Sequence, residues 1–183
     1  ILSRGWWSIL YWDANMLSND ELVSAIFYLA GGRIKGLTRL QMTVFLVERV
    51  LNIGMFVFEP RKYGPWSHEL ERTIEGLESR GLLRTSIASP DLASVLFGES
   101  PVRVYEASQD LIRNGEDVFR KLERDDMVRA LYLRRLVRAA LSVPLSYLIA
   151  YIYSNYPEMT IKSNISKKVE EWKRSKFLAM SRV

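Results

Sequence analysis

Cysteine is absent from this chain of 183 residues, and histidine occurs once, at His68. Without thiols there is no disulfide, no thiolate nucleophile and no cysteine-ligated zinc, so the composition predicts a cytoplasmic protein. A single histidine argues against a transition-metal site, and neither a metal nor a cofactor is expected. His68 stands near a helix start, where a solvent-facing or capping role is the plain reading and a proton carrier the sharper one. Long apolar runs are missing too. The best, PLSYLIAYIY from Pro144 to Tyr153, is about ten residues against the roughly 18 that a membrane span needs. It reads as a buried helix, and no membrane partner is expected.

The leading stretch ILSRGWWSILYW lacks the small-residue cleavage pattern of a signal peptide. Met16 is available as a start, which would make the residues before it an extension or a tag. Trp6, Trp7, Tyr11 and Trp12 crowd this stretch. Packing on this chain or on a second copy is expected for them, ahead of an interfacial membrane anchor.

A net charge of +5 invites a nucleic-acid reading, but its distribution matters more. Residues 59–109 hold 6 basic and 8 acidic side chains, whereas residues 162–183 hold 7 and 2, so the last segment alone accounts for the whole excess. Arginine outnumbers lysine 18 to 8, which with the missing cysteine is compatible with a heat-adapted source.

The chain is long enough for one domain, or one small domain with an appended helical part. Ser18 and Glu21 form a capping box for a helix that carries Leu22, Ile26 and Leu29 and stops at Gly31-Gly32. A basic loop, Arg33 to Gly36, leads to a second helix from Thr38, with Leu40, Val44, Val47 and Leu51 in one stripe and Asn52 and Gly54 as its end. Phe56 to Phe58 is aromatic and β-branched and predicts a short strand. Between Arg61 and Leu83 the chain reads RKYGPWSHELERTIEGLESRGLL. There a Lys-Tyr-Gly-Pro turn opens a helix, with Pro65 in its first turn, Leu70, Ile74 and Leu77 on its buried face and Gly81 as its stop.

Leu82 to Ala88 and Val102 to Ala107 then predict two strands joined by a long connection. Asn114 is read as capping a further helix, Asp125-Asp126 as restarting another to about Leu141, and Pro144 as opening the aromatic one. A last helix from about Ser163 would carry Ile165, Val169 and Trp172. The fold class that follows is mainly α with a small β-wing (α+β): a winged helix-turn-helix core with a helical C-terminal extension. The expected division is an N-terminal extension over 1–17, the winged-helix core over 18–109 and the helical extension over 110–183.

Three stretches, GGRIKGLTRLQ at 31–41, KYGPWSHEL at 62–70 and VPLSYLIAYIYSNYPEMT at 143–160, together resemble the archaeal and bacterial YwgA-like winged-helix proteins. These are distantly similar to the Panacea antitoxin domain. The resemblance covers roughly Asp20 to Ile165 and implies a winged-helix core with a helical C-terminal extension. It implies little chemistry, because most of the family has no assigned activity. The chain departs from the pattern in its extended N-terminus and its apolar wing loop.

No arrangement of nucleophile, base and metal suggests a reaction, and no enzyme is expected. Glu69, Glu71, Glu75 and Glu78 read as a solvated helix face, and GGRIKG reads as an interhelical turn because it lacks Walker spacing and a preceding strand. Two functions remain. A DNA-binding transcriptional regulator needs phosphate-neutralising cations, and with an acidic third helix these would be Arg33, Lys35, Arg39, Arg61 and Lys62, with Lys167, Lys168, Lys173 and Arg174 on the tail. A protein-interaction module, antitoxin-like or adaptor, would use Trp6, Trp7, Tyr11 and Trp12 with the apolar wing residues Leu92, Val95, Leu96 and Phe97. The partners expected are therefore double-stranded DNA, a second copy in a homodimer, or another protein; both apolar segments folding back on their own core is the plain alternative.

Overall fold

The computed structural model of the chain describes residues 17–90, 95, 101–163 and 167. Among these residues the order is α1 (Asn19–Leu29), β1 (Arg33–Lys35), α2 (Leu37–Leu51), β2 (Glu59–Arg61), β3 (Gly64–Trp66) and α3 (His68–Ser79). It continues through β4 (Leu83–Ala88), β5 (Val102–Ala107), α4 (Gln109–Asp125), α5 (Met127–Ser142) and α6 (Leu145–Asn155) to a short 3-10 turn (Pro157–Thr160). The described part is mainly helical with two small antiparallel sheets, an α+β arrangement.

Local chemistry sets several boundaries. At α1 the Ser18 hydroxyl accepts from the Glu21 N–H at 3.2 Å, and the Glu21 carboxylate accepts from the Ser18 N–H at 2.6 Å. Two otherwise orphaned donors are thus satisfied. Asp126 caps α5 by accepting from the Arg129 N–H at 3.0 Å, and Pro144 stands at the start of α6. Asn52 ends α2 in the left-handed conformation.

Four expectations change. The segment Arg33 to Lys35 is a strand, because Ile34 is buried opposite Tyr105 of β5 while its neighbours are exposed. Phe56 to Phe58 is not a strand: the N–H of Phe56, like those of Gly54 and Met55, donates to the Glu48 carboxylate. The strand falls instead at β2 and pairs with β3, placing Pro60 opposite Pro65. Two residues without N–H groups fit a pair that exchanges no ladder bond, so Pro65 belongs to a hairpin and α3 starts after it, capped by Ser67. Asn114 lies inside α4, whose cap is Ser108 accepting from the Leu111 N–H at 3.2 Å. The helix expected over Ile165, Val169 and Trp172 lies outside the described residues.

The three-stranded sheet runs β1-β5-β4, with Tyr105 opposite both Ile34 and Thr85. α2 is the central helix, every residue from Leu40 to Glu48 being buried. One side, through Leu40, Val44 and Val47, joins a cluster with Leu22 and Ile26 of α1, Leu70 and Leu77 of α3, Phe119 of α4 and Leu133 of α5. The other side, through Met42, Phe45 and Leu46, meets Leu148, Ile149 and Ile152 of α6. Residues on both sides of position 110 therefore share one core.

Candidate functional site

α3 is fixed at its start by a buried amide. Gln41 accepts from the Ser67 N–H at 2.9 Å and donates to the Ser67 carbonyl at 3.1 Å, so the cap of α3 is bolted to α2. Leu70, Ile74 and Leu77 face the core, which leaves His68, Arg72 and Glu75 exposed and Glu69, Glu71 and Glu78 half-buried. The half-buried carboxylates have neighbours to hold. Glu69 accepts from Asn19 Nδ2 at 3.2 Å, Glu78 from the Thr85 hydroxyl, and Glu71 lies 3.2 Å from His68 Nδ1. With four carboxylates against Arg72 and His68, this helix carries an excess of negative charge, which opposes the approach of a duplex.

The cations expected to bind nucleic acid are divided by the fold. Arg39 Nη1 donates to the carbonyls of Ala140 and Val143 at 2.7 and 2.8 Å, so its guanidinium caps the end of α5. That geometry gives Arg39 a structural task within the chain. Arg33 pairs with Glu106 at 3.5 Å, and Lys35 is exposed on the same strand. Arg61 holds Glu59 at 2.7 Å and touches His68; the Arg61 hydrogen bond is the main reason the Glu59 carboxyl titrates below its ordinary value. Lys62 lies 5.2 Å from the ring of Tyr63.

Arg61 and Lys62 line an open cleft of about 230 Å³ together with Thr38 and Gln41, at the end of α2 where Gly36 gives no side-chain cap. Gly64, at φ 123°, forms the wall of the same cleft, and a Cβ there would lie 3.0 Å from Met42 Cε. Lys167 is exposed, whereas Lys168, Lys173 and Arg174 lie outside the described residues. So do Trp6, Trp7, Tyr11, Trp12, Leu92, Leu96 and Phe97; Val95 is described and is exposed.

An apolar surface that the sequence reading passed over stands elsewhere. Ala130, Leu133, Val137 and Ala140 of α5 are buried against the core. A second line runs through Tyr132, Leu136 and Ala139 of the same helix to its C-cap Val143. Tyr132 stands exposed one turn before Leu136, and Leu136, Ala139 and Val143 border an open groove of about 440 Å³. Val50 of α2 and Tyr147 and Tyr151 of α6 form its far wall, and each of the three is more than two-fifths exposed. Val128, Leu131 and Tyr132 carry the exposed apolar surface toward the start of α5. The signal for this surface was present in the spacing of α5, which has two apolar lines where a helix on the outside of a core needs one.

Among the described residues no group of three or more His, Asp or Glu side chains could hold a metal ion, and no helix is long and apolar enough to cross a membrane. No protein-family model, curated protein or solved structure matches the chain.

Proposed function

We propose that the chain is a winged-helix protein-binding module that carries out no reaction of its own. The element order supports the scaffold: α1, β1, α2, α3 and then the strand pair β4-β5, with β1 closing the sheet beside β5. The β2-β3 hairpin is an insertion in the turn between α2 and α3. On the same reading the chain is kin to the YwgA-like proteins that its motifs resemble.

The observation that carries the protein-binding reading is the open apolar groove lined by Val50, Leu136, Ala139, Tyr147 and Tyr151, with the exposed Tyr132 one turn before Leu136 on α5. Contiguous apolar surface of this kind is costly to leave in water and is the usual mark of a binding face. Tyr132→Glu with Ala139→Glu should abolish retention of a partner by the full chain, while Arg61→Glu with Lys62→Glu should leave it intact. Loss with the second pair and retention with the first would refute this reading.

A second reading, a DNA-binding regulator, is favoured by Arg61 and Lys62, which line the cleft beside Thr38 in the first turn of α2, with Lys35 exposed two residues before that helix. In that mode the phosphate backbone would lie across the α2 end and not along α3. It requires binding to mixed-sequence duplexes that weakens steeply with salt and is lost in Arg61→Glu/Lys62→Glu. Binding unchanged by those substitutions removes this mode.

A further inference from the structure

The outward line of α5 has a period as well as a character. Tyr132, Leu136, Ala139 and Val143 follow one another at steps of four, three and four residues, the same alternation by which Ala130, Leu133, Val137 and Ala140 meet the core. Leu136 and Val143 are half-buried against the core and Tyr132 and Ala139 are exposed, a spacing that suits a second helix, whose side chains enter the gaps between these residues. From Tyr132 to Val143 the seam spans roughly 17 Å at 1.5 Å per residue.

Charge selects among possible helices. Between Met127 and Ser142 α5 carries Arg129, Arg134, Arg135 and Arg138 and no carboxylate. Asp126 lies 3.4 Å from Arg129 and Glu123 lies 2.6 Å from Arg134, so those two charges are answered within the chain. Arg135 and Arg138 are exposed and have no counter-ion among the described residues. A second copy docked α5 to α5 would set these charges against their like. The segment 162–183, with 7 basic and 2 acidic side chains, would fare no better. A carboxylate-rich helix is drawn to these exposed arginines of α5, of which Arg135 stands one residue before Leu136 and one turn before Ala139.

We propose that the outward seam of α5, walled by α2 and α6, docks an amphipathic helix of a partner protein that is apolar on one line and acidic along its flanks. The proposal rests on the protein-binding reading and adds the partner's chemistry. The test uses the full chain and a displayed library of helices about sixteen residues long, each with Leu, Ile or Val at alternating steps of three and four and random polar residues elsewhere. Binders whose retention is lost with Ala139→Trp, which fills the groove from an exposed position, are sequenced. Their flanks should be enriched in Asp and Glu. For a Glu-flanked binder and its Lys-flanked twin, the acidic form should bind about fivefold or more tightly at low salt, with the gap closing as salt rises. Arg135→Glu with Arg138→Glu should reverse that order.

Neutral or basic flanks, or twins of equal affinity, overturn the proposal and leave the protein-binding reading standing. Sedimentation velocity separates the remaining occupants. A dimer that Ala139→Trp or Tyr132→Glu dissociates assigns the groove to a second copy and overturns the acidic helix. If Trp6→Glu with Trp7→Glu opens the groove to binders that the parent chain excludes, its own first segment is the occupant and the proposal falls. A monomer from which no groove-dependent binder emerges overturns the proposal and the protein-binding reading together.

Discussion

Glu48 shows how one side chain can organise a segment that has no secondary structure. It is 6% exposed on the central helix and accepts from the N–H groups of Gly54 at 2.7 Å and of Met55 and Phe56 at 3.1 Å. Burial raises its pKa above the ordinary carboxylate value; the three N–H donors oppose the rise, and the charge of Glu69 adds to it. A raised folded-state pKa favours the protonated fold, so this contribution is complete below the unfolded value and is lost as pH rises through the folded one. Urea midpoints measured from pH 4 upward should therefore include a declining limb that Glu48→Gln flattens. Glu48→Ala leaves the buried Phe56 N–H unanswered and should cost about 1–3 kcal/mol at neutral pH.

Gly115 answers a steric demand. A Cβ there would lie 2.1 Å from the Ser24 carbonyl oxygen, at the crossing of α4 with α1, beside the Asn114 to Ser24 hydrogen bond of 3.2 Å. Backbone cannot yield as a flexible side chain can. Gly115→Ala should destabilise by about 1–3 kcal/mol, read as a lowered denaturation midpoint.

Among the elements, what the sequence displayed and what it hid follow from where the determining contacts lie. The Ser18 and Glu21 box, the β4 and β5 spans and the start of α5 are specified by neighbours along the chain, and local pattern finds them. Strand β1 is three residues whose only signal is one buried isoleucine, and its partner β5 lies some 70 positions away. The β2-β3 hairpin carries a proline in each strand, a composition that local propensity reads as a turn followed by a helix. The groove on α5 escaped for another reason. The helical span of α5 is legible along the chain, and only the packing separates its inward line from Tyr132 and Ala139, which stay exposed.

Arg39, expected among the nucleic-acid cations, has a structural role. By donating to the last carbonyls of α5 it joins the start of α2 to the end of the helix that carries the groove. Arg39→Met keeps most of the apolar stem and loses both bonds. It should lower stability by about 1.5–3 kcal/mol in chemical denaturation, the usual worth of hydrogen bonds from a charged donor. Tyr132→Glu and Ala139→Glu are exposed changes on the neighbouring element and should move the midpoint by less than about 0.5 kcal/mol. This contrast separates the helix's support from its proposed binding face.

For the molecule as a whole, two faces compete for a function. The α3 face, which a helix-turn-helix protein would present to a base edge, is lined by Glu71 and Glu75 with Arg72 between them. The α5 face is apolar and edged by arginine. Fluorescence anisotropy with mixed-sequence duplexes at physiological salt should show no more than the weak, sequence-independent affinity of about 10⁻⁴–10⁻⁶ M that basic side chains give any duplex.

Site-specific photo-crosslinking distinguishes the two faces in one experiment. A benzophenone side chain placed at Tyr132 and, separately, at Arg72 reports what each surface touches in the living cell. The account predicts a discrete protein adduct from position 132 that disappears on Ala139→Trp, and no nucleic-acid adduct from position 72. A DNA adduct at position 72 with none of any kind at position 132 would contradict it.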